Sequence, residues 1–185
     1  RSPSRGLGDV YKRQAQKHHE SKGFKSLIES GYYRVSTLKG KEPFSKYFKN
    51  MSDEEVRNNY ATVGVGKLSK EEVIRRQTNL FNKTYGGRLG NSPEEGYKYR
   101  GRGYIQLTGK ENYEKAGKAL GLDLVNKPEL AENPKNADRI AKWYWDQRVK
   151  PKMEGEEWGD TKKVTRLVRG SSDSHVERNR SVSYT

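Results

Sequence analysis

From Tyr99 to Tyr113 the chain reads Tyr-Arg-Gly-Arg-Gly-Tyr-Ile-Gln-Leu-Thr-Gly-Lys-Glu-Asn-Tyr, with glycines at 101, 103 and 109. No other stretch narrows the fold as much. Three glycines within nine residues argue against a regular helix, and the aromatic and β-branched residues between them suit an extended backbone that passes close to something. Gln106, Thr108 and Asn112 supply polar groups along that approach. The expectation is a strand or irregular hairpin over 99–107.

The rest of the chain from Ala15 onward carries helical signals. Ser52-Asp53-Glu54-Glu55 offers an N-cap followed by early acids, and Ser69-Lys-Glu-Glu72 is a capping box leading to Val73, Leu80 and Phe81. Asn133-Pro134 places a cap and a first-turn proline ahead of Ala137, Ile140, Ala141 and Tyr144. Another helix is expected from about Glu111 to Leu120, stopped by Gly121, with loops over about 31–43 and 86–96. No internal repeat or heptad appears. The fold class implied is α+β, predominantly helical, with one small β segment.

At 185 residues, 30% of them hydrophobic, the chain suits one domain with a real core. Residues 1–14 hold four basic side chains against Asp9 without an apolar period, which reads as a disordered tail. They and residues 181–185 resemble linker-derived translation at the ends of environmental gene fragments, so a native sequence cut at both ends is expected. The domain proper is placed at 15–180. There are no cysteines, which excludes disulfides and thiolate metal sites. No apolar run approaches the ~20 residues of a membrane span, and no secretory signal is legible. Export route and compartment stay open.

The formal net charge of +14 attracts polyanions, which include nucleic acids, anionic headgroups and acidic envelope polymers. A solvated basic surface is the plainer reading of most of these residues. Arg100-Gly-Arg-Gly103 is a single arginine-glycine copy, weak as an RNA motif; structural salt bridges by Arg100 or Arg102 are the stronger reading, with one of them able to orient a carboxylate. His18-His19-Glu20 precedes Gly23 where a zinc-protease helix needs its second histidine, so no metal is expected. Of Trp143, Tyr144 and Trp145, Tyr144 is assigned to the core with Ile140 and Ala141, because successive helical residues diverge by about 100°. One tryptophan is expected at the core margin.

Cleavage of a glycosidic bond needs two carboxyl groups, one to protonate the leaving oxygen and one to activate water or attack carbon. Glu20 and Glu29 are candidates. Among 24 acidic residues a pair nine apart is a weak signal, and a lone glutamate is usually a solvated surface group. The polar run Lys17-His18-His19 before Glu20, and the turn-permitting Gly23 after it, raise its standing.

Residues 15–21 (Ala-Gln-Lys-His-His-Glu-Ser), the segment Gly101 to Gly109 and Asn112-Tyr113 resemble the signature segments of family 19 glycoside hydrolases, the chitinases and related phage and bacterial peptidoglycan hydrolases. The resemblance covers roughly residues 15–180 and is closer to the compact cysteine-free branch. It implies a lysozyme-like domain with the β segment beside the substrate cleft and an inverting endo-acting reaction on β-1,4-linked N-acetylated amino sugars. By position, Glu20 matches the general acid, Glu29 the general base and Thr108 the hydroxyl that helps hold the water. Gln106 and Asn112 match cleft-lining residues, and Tyr104, Tyr97 and Arg102 are added as substrate contacts. The chain departs from the family's Val-Thr-x-x-Ile-Asn-Gly-Gly pattern at Val164 to Ser171, where Arg169 and Ser171 replace an asparagine and a glycine.

Peptidoglycan is the expected substrate, with anionic cell-wall polymers as partners and chitin as the alternative. No cofactor, specific nucleic acid or membrane span is expected, and the chain is expected to act as a monomer. A catalytically silent carbohydrate-binding relative is the competing class, which the presence of Glu20, Glu29 and Thr108 disfavours.

Overall fold

The structure is a computed structural model and describes residues 27–152. These sort into two units, one of residues 30–98 and one of residues 27–29 with 99–152.

In the first unit, α1 (Val35–Gly40), α2 (Ser45–Phe48), α3 (Asp53–Asn59) and α4 (Lys70–Tyr85) follow one another. The α3 and α4 starts follow the sequence signals: Ser52 Oγ accepts from Glu55 N and Ser69 Oγ from Glu72 N. On α4, Gln77, Leu80, Phe81, Thr84 and Tyr85 are buried at spacings of three and four, so one stripe faces inward. Leu38, Phe44, Phe48, Val56, Ala61 and Leu80 form the unit's core. The expected loop over 31–43 is corrected here, because α1 and the burial of Leu38 lie inside it.

The second unit holds α5 (Lys110–Leu120), a 3-10 turn at Pro128–Glu132, α6 (Pro134–Tyr144) and a π turn at Trp145–Val149. Gly121 ends α5 in the left-handed region at φ 65°, as its position leads one to expect. Asn133 Oδ1 accepts from Lys135 N and Asn136 N at the head of α6. Tyr99, Leu107, Tyr113, Ala116, Leu124, Ala131 and Ile140 make the core, each large apolar side chain contributing about 1.5–3 kcal/mol. Tyr144 is not the buried aromatic of its triplet. Trp145 is, at 3% exposure, because it lies four residues after the buried Ala141 and eight after the buried Ala137, on their stripe; Trp143 packs at the margin.

The fold is predominantly helical. Among the described residues β structure is limited to two antiparallel bridges, Ile28 with Arg102 and Arg102 with Leu107. No described helix is long and apolar enough to cross a membrane.

Candidate active site

Arg102 is the middle member of both bridges, so Ile28, Arg102 and Leu107 form one row across three short extended segments. Arg102 and Leu107 exchange N–H to carbonyl bonds of 3.0 and 2.8 Å, which closes a tight hairpin over 102–107. Glu29 N donates to Gly101 O at 2.9 Å and Gly103 N to Leu27 O at 2.7 Å. Antiparallel pairing then sets the adjacent row as Glu29, Gly101 and Thr108. Side chains alternate between faces along a strand, so Glu29 and Thr108 emerge on the face opposite Arg102.

Glycine at the centre of that row decides what the face can do. A Cβ on residue 101 would lie 2.9 Å from Gln106 Oε1, 3.0 Å from Glu29 Oε2 and 3.3 Å from Thr108 Oγ1. Three oxygens from three separate positions thus converge on a space that any side chain at 101 would fill. The Gly101 N–H closes the floor by donating to Glu29 Oε2 at 3.2 Å. Glu29 Oε2 and Thr108 Oγ1 thus lie on the same side of Gly101, near enough to one another for a water above the glycine to be held by both.

Local geometry orients each group. Gln106 sits in the left-handed region at φ 53°, an uncommon conformation for a residue with a side chain. Its Nε2 donates to Gly103 O at 3.3 Å, which turns Oε1 toward Gly101. The Thr108 hydroxyl donates to Gln106 O at 2.9 Å, so its lone pairs are presented as acceptors. Asn112, in the first turn of α5, donates from Nδ2 to Thr108 O at 2.7 Å and ties that helix to the seat.

Arg102 is turned inward, 4% exposed. Its Nε donates to Glu132 Oε1 at 2.7 Å and its Nη1 to the Tyr113 hydroxyl at 3.0 Å. Burial pushes the Tyr113 phenol up to about 12, against the opposing pull of the Arg102 cation. It therefore stays protonated and donates to Arg100 O at 2.7 Å. The expected structural salt bridge is present, made with Glu132. Glu132 had no sequence signal, being an acid 30 residues from its partner at the end of a short turn.

The structure brings Glu29, Gln106, Thr108 and Asn112 together. Tyr104 lies half-buried in the hairpin turn. Tyr97 belongs to the other unit, where its ring meets Phe81 at 6.2 Å and its N–H is held by Asn82 Oδ1. Glu20, His18, His19, the tails at 1–14 and 181–185, and the departing segment 164–171 lie outside the described residues.

Comparison with known proteins addresses the same residues. A family model described as chitinase class I, glycosyl hydrolase family 19, matches residues 15–162. A family 19 domain-containing protein of Haemophilus influenzae is 34% identical over 167 residues, spanning 89% of this chain and 72% of that protein. Acidic endochitinase Q of Nicotiana tabacum is 34% identical over 98 residues, 46% of this chain and 39% of its own length. Chitinase C of Streptomyces griseus HUT6037 aligns in structure at 23% identity and a TM-score of 0.35, covering 76% of this chain and 40% of that one. The chain thus spans well under half of the tobacco and Streptomyces proteins. With the match running through both the Glu20 segment and the glycine hairpin, the chain belongs to family 19 of the glycoside hydrolases, the chitinase type.

Proposed function

We propose that this chain hydrolyses β-1,4 links beside N-acetylated amino sugars by a single inverting displacement, with Glu20 as acid, Glu29 as base and Thr108 as the second anchor of the water. The observation that carries it is the convergence of Glu29 Oε2, Thr108 Oγ1 and Gln106 Oε1 over Gly101. A water there donates one proton to the Glu29 carboxylate and the other toward Thr108 Oγ1. One of its lone pairs faces the anomeric carbon, and the proton directed at Glu29 passes to that carboxylate as the water attacks. As the new C–O bond forms, the glycosidic C–O bond breaks and Glu20 protonates the departing oxygen. Inversion requires the two carboxyl groups to stand about 6.5–9.5 Å apart. Asn112 supports the seat through Thr108, and Tyr104 offers aromatic surface to sugar rings.

Peptidoglycan is the proposed substrate, on the compact cysteine-free sequence and the +14 charge, which favours an anionic wall. Chitin is the second reading, favoured by the chitinase names of relatives such as the tobacco endochitinase. Purified peptidoglycan and chitin oligosaccharides are to be digested side by side, with products identified by mass spectrometry and the first-formed anomer by proton NMR. The expected first product is the α-anomer, and Glu20→Gln and Glu29→Gln each lose about 10²–10⁴-fold in rate. A β-anomer, or full activity of either variant, would sink the assignment. Binding without cleavage would identify a silent carbohydrate-binding relative instead.

A further inference from the structure

The seat has a mechanical problem. Its floor must be glycine, because a Cβ at 101 would occupy the space among the three oxygens, yet glycine is the residue least able to hold its own peptide planes. Rigidity has to come from the flanking residues. Both are held: the Tyr113 hydroxyl donates to Arg100 O at 2.7 Å, and Arg102 is gripped through Nε by Glu132 and through Nη1 by that same hydroxyl. Nη1 also reaches Arg100 O at 3.4 Å, closing the loop of contacts across Gly101. Tyr113 is itself fixed, fully buried in α5 with its ring 5.4 Å from that of Tyr99.

We propose that Arg102, Tyr113 and Glu132 form a positioning clip that acts from the far face of the hairpin to hold Gly101, and with it Glu29 and Thr108, in register for one water. The proposal rests on the catalytic reading above. With its side chain buried against Glu132 and Tyr113, Arg102 acts in this proposal as a positioning residue. It works through its backbone, shared with Ile28 and Leu107, and through the planar fork of its side chain. A lysine there offers charge without the fork and cannot grip two partners in fixed directions.

Tyr113→Phe tests the clip, since it removes one hydroxyl and keeps the buried ring. The expected result is a fall in kcat of about 10-fold with KM within about twofold, because ground-state sugar contacts are untouched. Combined with Thr108→Ala, the loss should be less than multiplicative, as both act on one water. Amide hydrogen exchange gives a readout that needs no activity: Glu29 and Leu107 N–H should exchange faster, while the amides of α6 stay unchanged. Glu132→Gln, at a part-exposed site, should give the same pattern more weakly, and Arg102→Lys should not preserve kcat. Unchanged exchange at Glu29 and Leu107, a rise in KM alone, or fully multiplicative losses would overturn the clip. An unmodified chain without hydrolytic activity would count against the catalytic reading, and the exchange pattern would still decide the clip.

Discussion

Gly101 is the residue on which the chemistry can be tested most sharply, because its backbone is not in the left-handed region and the cost of alanine there falls on the crowded oxygens alone. The added methyl would sit 2.9–3.3 Å from the three oxygens and would push Glu29 and Thr108 out of the alignment that holds the proposed water. Gly101→Ala is therefore expected to lower kcat by at least about 10²-fold while KM for chitin oligosaccharides changes little. Steady-state kinetics with a thermal melt checks this, and an active, folded alanine variant would show that the water sits elsewhere. Thr108→Ser should keep most activity and Thr108→Val should lose it, since shape is preserved in the second and the acceptor is not. Gln106, Thr108 and Asn112 were legible in the sequence because they lie in or beside the glycine-rich segment, whereas Glu29 was a weak signal by spacing and stood out only through the family resemblance. Glu132 was not legible, since the fork of Arg102 is matched to it only after the hairpin and the 3-10 turn have folded against one another.

At the scale of elements, legibility followed the caps. The starts of α3, α4 and α6 were readable because Ser52, Ser69 and Asn133 are local signals that the structure uses as such. Helix α1 was not readable: Arg34 at its head makes no side-chain cap, and the segment is held by burial of Leu38 among residues distant in sequence. The Ser69 box is a partial case, for Glu72 donates its N–H to Ser69 but sends its carboxylate forward to Arg75 and Arg76. Those two guanidiniums, through their hydrogen bonds first, hold the Glu72 carboxyl well down, at about 2 against 4.5. A depressed folded value contributes stability above the unfolded value and loses it as pH falls through the folded one. The unit carrying α4 should thus soften between about pH 4.5 and pH 2, as Arg76, which also donates to Ala61 O, is released from its acid. Urea unfolding at stepped pH should show this slope in the unmodified chain and a shallower one in Glu72→Gln; identical slopes would refute the linkage.

Over the whole molecule, charge and site make separable contributions. Each unit builds its own core, so the fold does not draw on the excess of 38 basic over 24 acidic residues. What the excess alters is encounter with a charged polymer, and the seat over Gly101, built within the hairpin unit, has no share in that. Salt distinguishes the two. Raising ionic strength from 0.1 to 1 M shortens the screening length from about 10 to about 3 Å, which weakens attraction to an anionic wall and leaves hydrogen bonds at contact distance nearly untouched. Turbidity clearing of intact peptidoglycan should therefore fall steeply across that range, whereas kcat/KM on a neutral soluble chitin oligosaccharide should change less than about twofold. A parallel decline on both substrates would place the salt sensitivity in the catalytic unit itself. Salt-independent clearing would instead show that the basic surface is merely solvated, and peptidoglycan would lose the electrostatic support that sets it ahead of chitin.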